Sequence, residues 1–183
     1  CKRYSGLYLQ NVSVTESPEW LKQKLQSINV KSINNIVDIT NFILHETGQP
    51  LHAFDADKIR GNSIVVKSAK EREKFITLDG TERKLRAADL LICDAEGPIC
   101  IAGVYGGLNS GVTQSTKKLF LESAWFSPES IRRTSLAHGL RTDAATRFEK
   151  GVDISNTVTV LKRAAELIKA VCGASIGAVI DMY

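Results

Sequence analysis

The sequence has little of what usually announces a site. Four cysteines (Cys1, Cys93, Cys100, Cys172) form no Cys-x-x-Cys pair, and the last three sit in apolar runs. That spacing favours buried reduced thiols in a cytosolic chain well ahead of a disulfide frame or a zinc site. No apolar run approaches the ~20 residues of a membrane span, and no signal peptide is visible, so a cytoplasmic location without membrane contact is expected. There is no Gly-Lys-Ser/Thr loop to cradle nucleotide phosphates and no Gly-x-Ser-x-Gly elbow for an acyl-enzyme nucleophile. Low-complexity tracts, long linkers and repeat periods are also lacking. Nor is there a strong charge of one sign. A formal net charge of +4 permits contact with a polyanion without demanding it.

What remains is an ordinary globular composition, 43% apolar and 24% charged over 183 residues, which suits one domain or two small lobes on a shared core. The chain begins Cys1-Lys2-Arg3 without a methionine, so a piece of a longer protein is expected. Residues 6–14 read as a strand. Ser17-Pro18-Glu19 then opens a helix with Ser17 as N-cap and Trp20, Leu21, Leu25 and Ile28 on its apolar side. A second helix is expected from about Ser32 to Glu46, with Ile33, Ile36, Val37, Thr40, Ile43 and Leu44 on one face and Gly48 ending it. The middle is β-like over 63–68, 74–78, 90–93, 99–104 and 118–124, with turns at Asp79-Gly80 and Glu96-Gly97-Pro98. Helices return after Ser127-Pro128, after Thr142 and over 156–172, and a strand closes the chain over 174–182. Strands and helices segregate, which predicts an α+β fold: mixed, largely antiparallel sheets with helices at the ends and on one face.

The stretch TNFILHETGQPLHAFD, residues 40–55, holds two of the three histidines. His45 and His52 lack the i, i+4 spacing that puts two imidazoles on one helical face, and Gly48-Gln49-Pro50 interrupts the helix between them, so no metal site is expected. His45 is expected at the helix's solvent edge. The glycines of Ile101-Ala102-Gly103-Val104-Tyr105-Gly106-Gly107 precede a loop and not a helix, which favours a turn over a phosphate cradle. Glu122 alternates within Leu119–Trp125. Either it faces solvent on an edge strand, or it is a buried carboxyl needing a partner. Between 131 and 150, Arg132, Arg133, Arg141 and Arg147 form a cationic rim for phosphates or, with Asp143 and Arg147 at i, i+4, a salt-bridged surface.

Three long segments, VDITNFILHETGQPLHAFD, IAGVYGG and LFLESAWFSPESIRRTSLAHGLRTDAATRFEKGVD, resemble the editing domain in the beta subunit of bacterial phenylalanyl-tRNA synthetase. The resemblance runs collinearly over about residues 4–181. It implies that residues 1–183 are a single editing domain of two interlocked lobes, hydrolysing tyrosine wrongly esterified to the phenylalanine tRNA. Position by position it implies Thr40, Asn41 and His52 as catalytic residues. It implies Gly103, Gly106, Glu122 and Ala144 as the amino-acid pocket, with Glu122 meeting the tyrosine hydroxyl. It also implies an alpha-subunit partner in a heterotetramer of two alpha and two beta chains, and tRNA(Phe) as the bound nucleic acid. No cofactor is implied for this segment; ATP and Mg2+ belong to the parent ligation reaction.

The physics is compatible with that expectation. A pocket that accepts phenylalanine rejects an isostere bearing one extra hydroxyl by only about 10², whereas a site built to hydrogen-bond that hydroxyl discriminates the other way. With no carboxylate obviously paired with His52, positioning of water with help from the substrate is expected over strong general-base catalysis. The alternative is a non-catalytic module that binds the aminoacyl end or supports subunit assembly.

Overall fold

The computed structural model describes residues 1–183. The first half holds β1 (Arg3–Gln10), α1 (Glu19–Gln26), α2 (Asn35–Thr47), β2 (Leu51–Asp55), β3 (Val65–Ser68), β4 (Lys74–Ile76) and β5 (Glu82–Lys84). Then come β6 (Leu90–Cys93), β7 (Pro98–Ile101), β8 (Tyr105–Gly106), β9 (Leu119–Trp125), α3 (Pro128–His138), α4 (Asp143–Lys150), α5 (Thr157–Cys172) and β10 (Ser175–Met182). Two four-stranded sheets, ordered β10-β1-β9-β2 and β3-β6-β7-β8, stand beside the two-stranded hairpin β4-β5. Every strand pairing is antiparallel, so the α+β class holds and no parallel ladder contributes.

The sheet β10-β1-β9-β2 serves two cores, and alternation along its strands explains how. Leu119 and Leu121 of β9, Leu7 and Leu9 of β1 and Ala53 of β2 join Ile36, Ile39 and Ile43 of α2 and Val160, Leu161 and Ile168 of α5 in one cluster. The intervening residues, Phe120 and Ala124 of β9, Tyr4 of β1 and Phe54 of β2, turn to the opposite face. There they meet Leu91, Ile101, Phe126, Ile131 and Phe148 in a second cluster. A one-residue slip of β9 would exchange the two sets, so register here is fixed by burial on both faces.

Several boundaries differ from the sequence expectation. Ser17 does not cap α1; its hydroxyl donates to Asp38 Oδ2 at 2.5 Å, and Pro18 occupies the cap position without a side-chain bond. α2 begins three residues later than Ser32, because Asn34 Oδ1 accepts from the backbone N–H groups of Ile36 and Val37 and so sets the start. Ile33 therefore lies outside the helix and is 66% exposed. Trp20 and Ile28 are likewise exposed, and Leu21 and Leu25 alone carry the burial of α1. Ser127 makes no side-chain cap to α3, whereas Thr142 caps α4 as expected, accepting from Ala145 N at 3.1 Å. β2, β5 and β8 are strands that the sequence reading passed over. The three apolar-run cysteines are buried free thiols.

Candidate functional site

The chain reversal at Gly48-Gln49-Pro50 builds the first wall. Gly48 closes α2 in the left-handed region at φ +78°, its N–H donating to Leu44 O. Gln49 is buried and its amide nitrogen donates to Ala124 O at 2.9 Å, tying the entrance of β2 to β9. That tie holds the register in which His52 stands directly opposite Glu122, with Leu51 opposite Ser123 and Ala53 opposite Leu121. Directly opposed residues of an antiparallel pair share a face, with Cβ atoms roughly 5 Å apart.

Glu122 thus lies on a central strand, on the face away from α2 and α5, and is 5% exposed. Of the two sequence readings, the buried carboxyl is the one observed. Its Oε2 accepts a 2.9 Å hydrogen bond from the Tyr4 hydroxyl, while Oε1 makes no bond within the chain. Burial pushes its pKa up to about 8, the Tyr4 bond opposing that rise. His52 is driven the other way: burial lowers its pKa to about 4, and its Nε2 has no hydrogen-bond partner. At pH 7 the site therefore holds a neutral, half-buried imidazole with no hydrogen bond to the chain beside a protonated carboxyl with one oxygen uncommitted.

These groups face a cavity of about 80 Å³, or about 400 Å³ counted out to its open mouth. His52, Gly103, Gly106, Glu122 and Ala144 all line it, joined by Cys100 and Phe148 among others. Larger grooves exist, one of about 620 Å³ beside α1, but that one is a solvated cleft with a single apolar residue among seven. The smaller cavity is the better candidate, because its walls are apolar and its few polar groups converge.

The two pocket glycines differ physically. Gly103 has φ +67°, and a Cβ there would lie 2.9 Å from Ile131 and Phe126 and 3.0 Å from Phe148, so both backbone and core packing demand glycine. At Gly106 a Cβ would stand 3.4 Å from His52 Cε1 and 3.9 Å from Nε2, in ordinary contact with the imidazole. Ala144 and Phe148, one turn apart on α4, supply the far wall.

Thr40 and Asn41 are not gathered into this lining. Thr40 is buried on α2 and spends its hydroxyl on Val37 O at 2.8 Å, while Asn41 is half-buried two turns before the reversal. His45 is not simply at a solvent edge: its Nε2 is enclosed without a hydrogen bond, 3.9 Å from Asp143 at the start of α4. Asp143 and Arg147 form no ion pair; the contact to His45 is the one Asp143 makes. Sequence reasoning missed Tyr4, whose relation to Glu122 depends on the pairing of β1 with β9 and has no local signature. No helix is long and apolar enough to cross a membrane.

Residues 1–173 match the B3/4 domain family. Over its whole length the chain is 53% identical to a segment of the phenylalanine–tRNA ligase beta subunit of Porphyromonas gingivalis and 50% identical to that of Carboxydothermus hydrogenoformans. Over 94% of its length it is 54% identical to the same subunit of Bdellovibrio bacteriovorus. It spans 21–23% of the length of these relatives. An N-terminal fragment of the phenylalanyl-tRNA synthetase beta subunit from Pyrococcus horikoshii superposes over 98% of this chain and 50% of its own, with a TM-score of 0.57 at 15% identity, which is a likeness of fold. The chain, matched by the family over nearly all its residues, belongs to the B3/4 domain family.

Proposed function

We propose that this chain is the proofreading segment of a phenylalanine–tRNA ligase beta subunit, hydrolysing the ester that joins tyrosine to tRNA(Phe). The observation that carries the reading is the pair His52–Glu122. These are a buried carboxyl and a half-buried imidazole side by side in an otherwise apolar cavity, with Glu122 Oε1 and the enclosed His52 Nε2 making no hydrogen bond within the chain. A tyrosine ring entering past Ala144 and Phe148 would place its hydroxyl between them. Glu122 Oε1, carrying the acid proton at pH 7, donates to the phenol oxygen, and His52 Nε2 accepts the phenol hydrogen. Phenylalanine would leave both groups desolvated and unpaired, at a cost of about 1–3 kcal/mol each. The site would thus reject the correct amino acid and admit the wrong one.

In the hydrolysis, water adds to the ester carbonyl, the bond to the terminal ribose oxygen breaks, and that oxygen takes a proton. A histidine whose pKa is about 4 is a poor base at pH 7. His52 is therefore an acceptor that orients the substrate hydroxyl, and the rate comes from placing the ester against water. Asn41, half-buried and without an intrachain side-chain bond, is assigned to the ribose end outside the cavity, with Thr40 holding the helix beneath it. The alpha subunit, the two-alpha, two-beta assembly, ATP and Mg2+ belong to the parent ligation reaction and are proposed on the same footing.

The weak basicity of His52 also suits a module that binds an aminoacyl end without cleaving it. The deciding experiment follows ester loss from Tyr-tRNA(Phe) and Phe-tRNA(Phe) with the complete ligase and with its His52→Ala and Glu122→Ala variants. Tyrosyl ester hydrolysis falling at least tenfold in both variants supports proofreading. Unchanged hydrolysis in both would remove this pocket from the reaction.

A further inference from the structure

On the β1–β9 ladder Gly6 stands opposite Glu122 and Tyr4 opposite Ala124, which makes Tyr4 the diagonal neighbour of Glu122 on the same face. Aromatic side chains span that diagonal. The direct position has no side chain to offer: a Cβ on Gly6 would lie 2.2 Å from Phe120 Cζ, so the Phe120 ring occupies that space. Tyr4 is thereby the residue that reaches the carboxyl from this flank, and it touches Oε2 at 2.9 Å. Tyr4 does not itself line the cavity.

We infer that Tyr4 is a positioning residue for tyrosine selection: by donating to Glu122 Oε2 it leaves Oε1 as the single carboxyl atom presented to the substrate hydroxyl. The inference rests on the proofreading reading and adds a direction to it. Tyr4 is enclosed at its hydroxyl end, and burial with the neighbouring carboxyl holds its pKa well above the ordinary value, so it stays a donor. Oε2 must then accept, and any acid proton of Glu122 resides on Oε1. The chain of hydrogen bonds runs one way: Tyr4 to Glu122, Glu122 to the substrate hydroxyl, substrate hydroxyl to His52 Nε2. A carboxyl free at both oxygens could turn its accepting edge to the cavity and lose that polarity. The ionisable groups around Glu122 are Tyr4 from β1, His52 from β2 and Cys100 from β7, whose buried thiol is pushed well above its usual range and stays neutral.

The test is Tyr4→Phe in the complete ligase, which keeps the ring and removes one oxygen. Expected is a rise of about tenfold in KM for tyrosyl ester, a smaller change in kcat, and an unchanged rate on phenylalanyl ester. The pH at which tyrosyl selectivity changes should also move upward, because the bond from Tyr4 opposes the raised pKa of Glu122; a merely structural loss would not move it. In the Glu122→Ala background the same substitution should add little further loss of selectivity. Equal selectivity and an unmoved pH profile in Tyr4→Phe, with Glu122→Ala still impaired, would overturn the role of Tyr4 alone. Unimpaired Glu122→Ala would instead sink the proofreading reading beneath it. If Tyr4→Phe lowers the melting temperature, the cycle with Glu122→Ala still decides, since additive losses would mean that the two residues act independently.

Discussion

Glu122 carries a stability cost that depends on pH. Its pKa is about 8 in the folded chain against an ordinary 4.5, so between those values the folded state holds a proton that the unfolded chain has lost. Stability therefore falls as pH rises through this window, by an amount on the order of a few kcal/mol. His52, with a folded pKa of about 4 against 6.5, opposes this only in the acid range: its contribution is lost as pH falls from 6.5 to 4. Glu122→Gln should thus melt higher than the parent chain at pH 9, with the gap closing towards pH 5; thermal melts across that range check it. A parent chain as stable at pH 9 as at pH 6.5 would contradict a buried neutral carboxyl. Gly106→Ala addresses the cavity itself. Its methyl would meet His52 in ordinary contact, so folding stability should stay within about 1 kcal/mol while tyrosyl ester hydrolysis drops at least tenfold.

At the scale of elements, the reversal between α2 and β2 sets where His52 stands. Gly48 has nothing within 4 Å of where a Cβ would lie, so Gly48→Ala measures backbone strain without a clash. The left-handed conformation costs a non-glycine residue about 1–2 kcal/mol, which in a chain of this size lowers the melting temperature by a few degrees. Hydrolysis per folded molecule should survive, because Gln49 still bonds Ala124 O. Thr142 joins two walls: it caps α4 and donates to Val104 O at 3.0 Å, beside Gly103. The helices and most strands were legible from apolar spacing, and the glycine end of α2 fell where expected. β2 was not legible. LHAFD begins after a proline and mixes histidine with apolar residues, so it has neither clean alternation nor a β-branched run, and β9 supplies the pairing that makes it a strand.

For the whole molecule, the shared sheet predicts cooperativity. β9 gives alternate residues to two cores, so neither core survives loss of the strand. Leu121→Ala should cost about 2–5 kcal/mol through the helix-side core. Trp20 packs edge-on to Phe42 among the helices, and Trp125 ends β9 with its indole N–H bonded to Val152 O. In Trp20→Phe and Trp125→Phe chains each remaining indole reports one region. Coincident denaturant transitions are expected; separated midpoints would show two independently folding parts.

Local signals alone carried the α+β class, the order of most elements, the break after α2, and the residues that a family resemblance gathers. They did so because apolar spacing, caps and glycine ends are local, and long shared segments survive without knowledge of contacts. It took the folded contacts to set His52 opposite Glu122, to put Tyr4 on one carboxyl oxygen, and to leave Thr40 and Asn41 outside the cavity. Those outcomes depend on strand register across 70 to 118 residues of chain and on burial, which lowers one pKa and raises another. No local pattern encodes either.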